Sequence, residues 1–398
     1  MSKLNQKISA SIGKNGVGTA IPVMAVVFIA FLVIGMALSV LPLYVHDELN
    51  FGPTIIGIVA GGQFLASLLS RLWAGRLSDN KGPRYSVILG IIFATTGGLL
   101  YLLSAASAST PLLSIIILLI GRTILGGAES LIITGGMLWA LKLVGPTFTG
   151  KVISWVGMSM FAAMAIGAPI GSYVYQQWTF LGVSYLSVTL TIISLFFAFK
   201  ASNVSTQSKS HAQPEPFLSI VKAVSVPGVS FALSGITYGA VTSFLVLYFS
   251  LQGWSHGAYA FTAFAVSLII TRIFLGHLPD HLGGIKVTLY SLTIQTIGLS
   301  FLILANSEML AIFGSVLSGV GFSLVFPSLG SVVVQKVPEH SRGIAMGTYN
   351  AFLDLTLGIG SPLLGVLADQ LNVISVFTAS AVASFIAIPV ILIFEYKR

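Results

Sequence analysis

The sequence contains no cysteine and few charged residues. Without cysteine, the chain has no disulfides, no thiolate metal sites and no cysteine nucleophile. Charged residues make up 8% of the chain and hydrophobic residues 55%, whereas soluble domains carry about 25% charged residues. Because the mean hydropathy is also high, at +0.97, most of the chain cannot face water. The composition therefore predicts an integral membrane protein.

Polar stretches are also scarce, and they separate twelve apolar segments. Crossing a hydrocarbon core of ~30 Å takes about 20 apolar residues per helix. Runs such as Leu112–Ile120 do not alternate between apolar and polar residues, as barrel strands would, so helices are predicted. The predicted spans lie near residues 20–45, 54–76, 84–104, 111–141, 150–174, 180–199, 225–250, 256–276, 286–305, 308–334, 342–368 and 372–394.

Positive charge is absent from every second connection between these spans. Those connections carry acidic residues only, at Asp47, Glu48, Glu308 and Asp369. Nearly all lysines and arginines lie at the termini and in the other connections, and the positive-inside rule places these in the cytoplasm. Hydropathy and charge thus agree on twelve spans with both termini cytoplasmic. The first residues lack an apolar core and a cleavage site, so no cleavable signal peptide is expected.

One stretch of the chain occurs twice. Residues 70–82 return as residues 271–283, with Arg, Gly, Asp and Gly at the same spacing in both copies. The duplication predicts two halves of six helices, residues 1–200 and 222–398, joined by a polar cytoplasmic linker at 201–221. Two parallel repeats related by an axis along the membrane normal are a known transporter plan, with substrate near the midplane between the halves.

Glycine and proline cluster inside several spans. Glycine permits close helix packing in lipid, and proline beside it favours a bend or rocking point, although plain packing is an equal alternative. The predicted bend residues are Gly167, Pro169, Gly171, Pro327 and Pro362. Gly167 and Pro169 also recur in the second half, as Gly360 and Pro362.

Three motifs resemble those of the major facilitator superfamily. Residues 75–84 resemble its loop signature between the second and third helices, and Arg122 before the Gly126–Gly127 pair resembles its fourth-helix motif. Residues 167–171 are similar to the fifth-helix motif of proton-linked exporters, from which Ala168 and Ser172 depart. The resemblance covers the whole chain. It implies an all-α membrane protein of twelve helices in two parallel halves.

A narrower resemblance is to the bacterial YfcJ/YhhS-like transporters. The segments that carry it are 126–130, 150–155, 323–327 and 342–354. It implies a monomeric transporter of the bacterial inner membrane that exports a sugar, drug or metabolite in exchange for protons. Proton-coupled import and lipid flipping with the same fold remain alternatives. No enzyme activity, cofactor, metal or nucleic-acid partner is expected, because no such motif is present.

Three ionisable residues fall well inside predicted spans, namely Arg122, Glu129 and Asp354. Such residues are costly in lipid and mark pathways or proton relays. Arg122 and Glu129 are seven residues apart and so lie on nearly one face of a helix. Because burial raises the pKa of a carboxyl group and a nearby cation lowers it, such a site suits proton coupling. The alternative is a static ion pair that positions two helices.

The duplicated loop is predicted to form a cytoplasmic gate. The resemblance implies that Asp79 caps the start of the eleventh helix near Arg342 and holds the cytoplasmic side shut, with Asp280 as its partial counterpart. A solvated turn acid is the alternative for both. The predicted gate residues are Arg71, Gly75, Asp79, Gly82 and Arg84 in the first copy, and Arg272, Gly276, Asp280 and Gly283 in the second.

Six polar or aromatic residues in the spans are candidate contacts for the transported substrate. They are Tyr44, Gln63, Trp155, Tyr238, Phe322 and Asn350. Tyrosine and tryptophan near a membrane boundary are more often interfacial anchors, and this alternative applies to Tyr44 and Trp155.

Overall fold

The computed structural model describes residues 2–144, 149–202, 204, 217–338 and 342–396. These residues form helices joined by short turns. In chain order the helices are α1 (Ser2–Leu43), α2 (Pro53–Lys81), α3 (Pro83–Ala106), α4 (Pro111–Val144), α5 (Thr149–Lys200), α6 (Phe217–Leu251), α7 (Gly257–Leu275), α8 (Leu278–Leu282), α9 (Gly284–Ile303), α10 (Glu308–Lys336), α11 (Arg342–Gln370) and α12 (Ile374–Tyr396). A π-helical turn, Tyr44–Glu48, extends α1. The all-helical fold predicted from the composition is confirmed.

Within these described ranges, 11 helices are long and apolar enough to cross a membrane. The difference from the twelve predicted spans lies in α5, which contains two residues with non-helical dihedral angles, Trp178 and Thr179. They fall between the predicted spans 150–174 and 180–199, so α5 holds both. Thr179 has a φ of 55°, which is unusual for a β-branched residue and marks a sharp interruption.

The two copies of the duplicated loop share an unusual glycine. Gly82 precedes α3 with φ 94° and ψ 151°, and Gly283 precedes α9 with φ 88° and ψ 142°. This region of backbone space is essentially restricted to glycine. The identical local geometry gives a physical reason for the glycine in both copies.

The helix before that glycine differs between the copies. In the first copy α2 runs unbroken to Lys81, whereas in the second α7 ends at Leu275 and the short α8 follows. Pro279 stands where the first copy has Ser78. Because proline has no NH and clashes with the preceding turn, it starts a helix well but does not continue one.

The chain forms two compact units, and each contains several segments. The first comprises Met1–Gly35, Ala66–Gly167 and Val174–Ser208, and the second Met36–Leu65, Ala168–Tyr173 and Lys209–Arg398. The predicted halves, 1–200 and 222–398, follow the duplication in the sequence and stay a prediction. Most of the predicted linker, 201–221, lies outside the described residues.

Close helix contacts at glycine hold each unit together. In the first unit, a Cβ on Gly97 of α3 would lie 3.2 Å from the carbonyl oxygen of Gly121 in α4. In the second, a Cβ on Gly321 of α10 would meet the backbone of Gln295 in α9. Small residues allow such backbone approach in lipid, where no hydrophobic force draws helices together.

Candidate functional site

Arg122 lies in the middle of α4 in the first unit, and its side chain is fully buried. Its Nη1 donates a hydrogen bond to the hydroxyl of Tyr101 in α3, at 3.4 Å. Tyr101 is also fully buried, and its ring packs 5.7 Å from that of Phe180. Tyr101 was not predicted from the sequence, because nothing in the residues around it distinguishes it from other tyrosines in membrane helices.

Glu129 lies two turns along α4 from Arg122, and its side chain is buried, at 7% exposure. Ser130 follows it at 1% exposure, and its hydroxyl has no hydrogen-bond partner among the described residues. Buried polar atoms are normally hydrogen-bonded, so the Ser130 hydroxyl is a polar group that helix packing alone does not explain. Direct contact between Arg122 and Glu129 stays a prediction.

Asp354 occupies the middle of α11, in the second unit, and is likewise 7% exposed. Its neighbour Leu353 packs against Gly235 of α6, where an added Cβ would lie 2.6 Å from the leucine methyl carbon. All three intramembrane charges named from the sequence are therefore buried in protein rather than turned toward lipid. This is the arrangement that the high cost of a charge in hydrocarbon requires.

An aromatic cluster in the second unit contains two of the predicted substrate contacts. The rings of Tyr238 and Phe322 stack, with centroids 5.6 Å apart and planes inclined by 19°. Phe231, Phe264 and Tyr349 extend the cluster. Only Tyr238 and Phe322 were named from the sequence, because the sequence does not specify which aromatic side chains of the different helices meet.

The remaining candidate contacts differ in burial. Tyr44 and Gln63 are fully buried, whereas Trp155 and Asn350 are half-buried. Tyr44 opens the π-helical turn, a deviation that often occurs at functional sites. Burial of Tyr44 does not fit an anchor at a lipid boundary, although its role in binding stays a prediction.

Most of the predicted gate residues lie near helix ends. Asp79 and Asp280 are exposed near the ends of α2 and α8. Arg84 approaches the carbonyl oxygen of Phe199 at 3.5 Å and its ring at 5.8 Å, which ties α3 to the end of α5. Arg272 donates from Nη2 to the carbonyl oxygen of Ser323 at 3.0 Å and thereby links α7 to α10.

Other gate and bend residues have backbone roles. Gly75 has open space around it, whereas a Cβ on Gly276 would strike the carbonyl oxygen of Arg272. Pro169, Pro327 and Pro362 all lie inside uninterrupted stretches of helix. Bending at these prolines and at Gly167 stays a prediction, as does the capping of α11 by Asp79, because the side chains of residues 341–343 lie outside the described part of the chain.

The fifth-helix motif makes a tight contact with α1 within the second unit. A Cβ on Gly171 would lie 2.6 Å from the carbonyl oxygen of Met36. Ser39 donates its hydroxyl to the carbonyl oxygen of Ala168 at 3.1 Å. The glycine is therefore required by the close approach of two helix backbones.

Sequence comparison assigns these features to a family. The model of the Major Facilitator Superfamily matches residues 23–292 and 256–398, which together take in nearly the whole chain. The chain belongs to the major facilitator superfamily. The protein is therefore a multi-pass membrane transporter rather than an enzyme.

Two relatives of this transporter belong to enteric bacteria. An uncharacterised MFS-type transporter of Salmonella typhimurium is 37% identical over 375 residues, which cover 94% of this chain and 95% of the relative. The transporter YhhS of Escherichia coli K12 is 35% identical over 387 residues, covering 96% of this chain and 94% of its own. The predicted resemblance to the YhhS-like transporters is confirmed.

Solved structures show the same superfamily fold. A mutant of the nucleoside transporter NupG superimposes with a TM-score of 0.78 at 14% identity, covering 94% of this chain and 99% of its own. The human organic anion transporter MFSD10 gives a TM-score of 0.69 at 13% identity, covering 95% and 99%. At these identities the likeness shows the fold alone.

Proposed function

We propose that this transporter exports a small organic solute, such as a sugar, a drug or a metabolite, across the bacterial inner membrane in exchange for protons. It works as a monomer by alternating access, with both termini in the cytoplasm. The observation that supports proton coupling best is the pair of carboxyl groups, Glu129 and Asp354, each only 7% exposed in the middle of a spanning helix.

Each carboxyl group is proposed to take up and release a proton. A charge at mid-membrane costs at least ~2.5 kcal/mol on insertion scales, so an ionisable side chain retained there typically marks a pathway or a proton relay. Glu129 shares α4 with the fully buried guanidinium of Arg122, two helical turns away. Beside Glu129, the buried hydroxyl of Ser130 has no hydrogen-bond partner within the described part of the chain, so a polar group of the cargo would engage it.

Export rather than import is supported by the fifth-helix motif. Residues 167–171 resemble the fifth-helix motif of proton-linked exporters, although Ala168 and Ser172 depart from it, and its Gly171 closely approaches the backbone of Met36 in α1. Tyr238 and Phe322 are proposed to contact cargo from α6 and α10, with Tyr44, Gln63, Trp155 and Asn350 as further contacts.

The proposal is tested with purified protein in liposomes under an imposed pH gradient. A panel of radiolabelled sugars, drugs and metabolites first identifies a cargo. We then expect Glu129→Gln or Asp354→Asn to abolish gradient-driven accumulation, because an amide cannot carry the proton. Exchange of labelled for unlabelled cargo without a gradient should persist in the same variant.

Asp47→Asn is the matched control, because Asp47 lies at the very end of the first spanning segment, Gly18–Glu48, and its side chain is 49% exposed. It should leave gradient-driven transport unchanged. If both intramembrane variants keep full gradient-driven transport, proton coupling through these residues is wrong. If the pH gradient drives cargo in the same direction as protons, the protein is an importer.

A further inference from the structure

Helix α2 begins without a capping side chain of its own. Its first peptide NH groups have no carbonyl partners within the helix. Ile55 and Ile56 donate to the carbonyl oxygen of Gly52, at 3.1 and 3.4 Å, but the NH of Thr54 needs another acceptor. The residue at the N-cap position normally supplies it, and Gly52 has no side chain with which to do so.

The missing cap comes from the far end of the sequence. Oδ2 of Asp369, next to the last residue of α11, accepts a hydrogen bond from the Thr54 NH at 2.8 Å, across 315 positions of sequence. A Cβ on Gly52 would lie 2.7 Å from Oδ1 of the same carboxylate, so glycine leaves the space that Asp369 occupies. A negative charge at a helix amino terminus is also favoured by the helix dipole.

Beyond this cap, α2 and α11 meet along small residues within the second unit. A Cβ on Gly57 would strike the carbonyl oxygen of Ser361, and one on Gly61 would lie 2.7 Å from Cδ of Pro362. The four-residue spacing of these glycines puts both on one face of α2. Few side chains interlock across such a contact, so the two helix surfaces can separate without extensive repacking. A polar contact at one end of the helices then shifts the equilibrium between the closed and the separated arrangement.

Helices α2 and α11 are built alike. Each has 29 residues and carries an aspartate within three residues of its carboxyl end, Asp79 in α2 and Asp369 in α11. The distribution of lysine and arginine among the connections predicts that Asp79 lies on the cytoplasmic side and Asp369 on the outer side. Each aspartate is thus on the side of the membrane where the other helix begins.

We propose that Asp369 is an outer latch, which stabilises the closed outer side by capping α2, in competition with Asp79 at the cytoplasmic side. The contact is solvent-exposed, so it is weak enough to break in every transport cycle. The proposal needs alternating access but does not depend on the cargo, the coupling ion or the direction of transport.

A single reporter thiol measures opening of the outer contact. Ser361 is 1% exposed at the α2–α11 contact, and since the chain has no cysteine, Ser361→Cys introduces its sole thiol. The rate of reaction with a membrane-impermeant maleimide is followed in right-side-out vesicles. We expect Asp369→Ala to raise this rate about tenfold, equivalent to ~1.4 kcal/mol. Asp369→Asn should raise it less, because the amide oxygen still accepts the bond but the charge is gone.

Two pairs of variants separate a latch from general loosening. Asp47→Ala removes a carboxylate from the same predicted side and should leave the rate unchanged. Gly52→Ala should raise the rate by displacing the Asp369 carboxylate, whereas Gly62→Ala, with nothing within 4 Å of the added carbon, should not. The latch is wrong if neither Asp369 variant reacts faster than the parent, or if Asp47→Ala accelerates the reaction equally.

Discussion

At the scale of single residues, the buried Arg122 guanidinium needs hydrogen-bond acceptors from neighbouring side chains in place of water. Tyr101 supplies one oxygen acceptor from α3, and the ring of Phe180 packs on Tyr101 in turn. A buried donor that loses its acceptor costs about 1–3 kcal/mol. We therefore expect Tyr101 to position the charge of Arg122.

Tyr101→Phe tests this dependence. Loss of the hydroxyl should destabilise the folded protein by about 1–3 kcal/mol, because the Arg122 Nη1 loses an acceptor without gaining access to water. Thermal unfolding in detergent measures the effect. Tyr185→Phe is the control, since Tyr185 is 59% exposed and should lose little. Equal melting temperatures for the two variants would show that the Tyr101 hydroxyl is dispensable.

At the scale of helices, glycine positions divide into those that a neighbouring backbone fills and those that face open space. The added Cβ of Gly321 would strike the backbone of Gln295, and that of Gly298 would strike Ser318, so α9 and α10 are in contact along their length. Gly347 of α11 has nothing within 4 Å. The same substitution should therefore have opposite effects at the two kinds of position.

Gly321→Ala should destabilise the protein by about 1–3 kcal/mol, because α9 and α10 must move apart to admit a methyl group. Gly347→Ala should be neutral or stabilising by up to about 1 kcal/mol, because alanine has the higher helix propensity. Both are measured by thermal unfolding in detergent. Similar losses in the two variants would mean that helix packing at Gly321 tolerates the methyl group.

At the scale of the whole molecule, the proposed latches act on one equilibrium from opposite ends. If Asp79 holds the cytoplasmic side shut, its removal favours the state whose outer side is closed. Each latch should shift the population by the free energy of its own contact, and two distant contacts should add.

Asp79→Asn should therefore slow the labelling of Ser361→Cys in right-side-out vesicles, by about three- to tenfold for a contact of about 1 kcal/mol. The double variant with Asp369→Asn should return the rate toward that of the parent. Transport should fall in each single variant despite normal membrane insertion. Faster labelling in Asp79→Asn, or an unchanged rate, would contradict a cytoplasmic latch at this residue.

The sequence by itself determined the membrane class, the spanning helices, the duplication and the superfamily. Hydropathy and short motifs depend only on residues that are close in sequence, so they can be recognised without knowing which helices are in contact. The positive φ of the glycines at 82 and 283 follows from the backbone freedom of glycine, and the break in α5 at Trp178 and Thr179 falls between the predicted spans 150–174 and 180–199. Burial of Arg122, Glu129 and Asp354 could likewise be expected, because lipid accommodates a charge only within protein.

Only the tertiary structure decided which of these residues meet. Tyr101 approaches Arg122 across a helix pair, Tyr238 stacks on Phe322 from another helix, and Asp369 reaches Thr54 across 315 positions. Such contacts depend on helix crossing angles and close glycine packing, which small residues permit but do not specify. From the sequence alone, Asp369 is a charged residue in a loop on the predicted outer side. The structure shows that it lies beside the first turn of α2 and caps that helix.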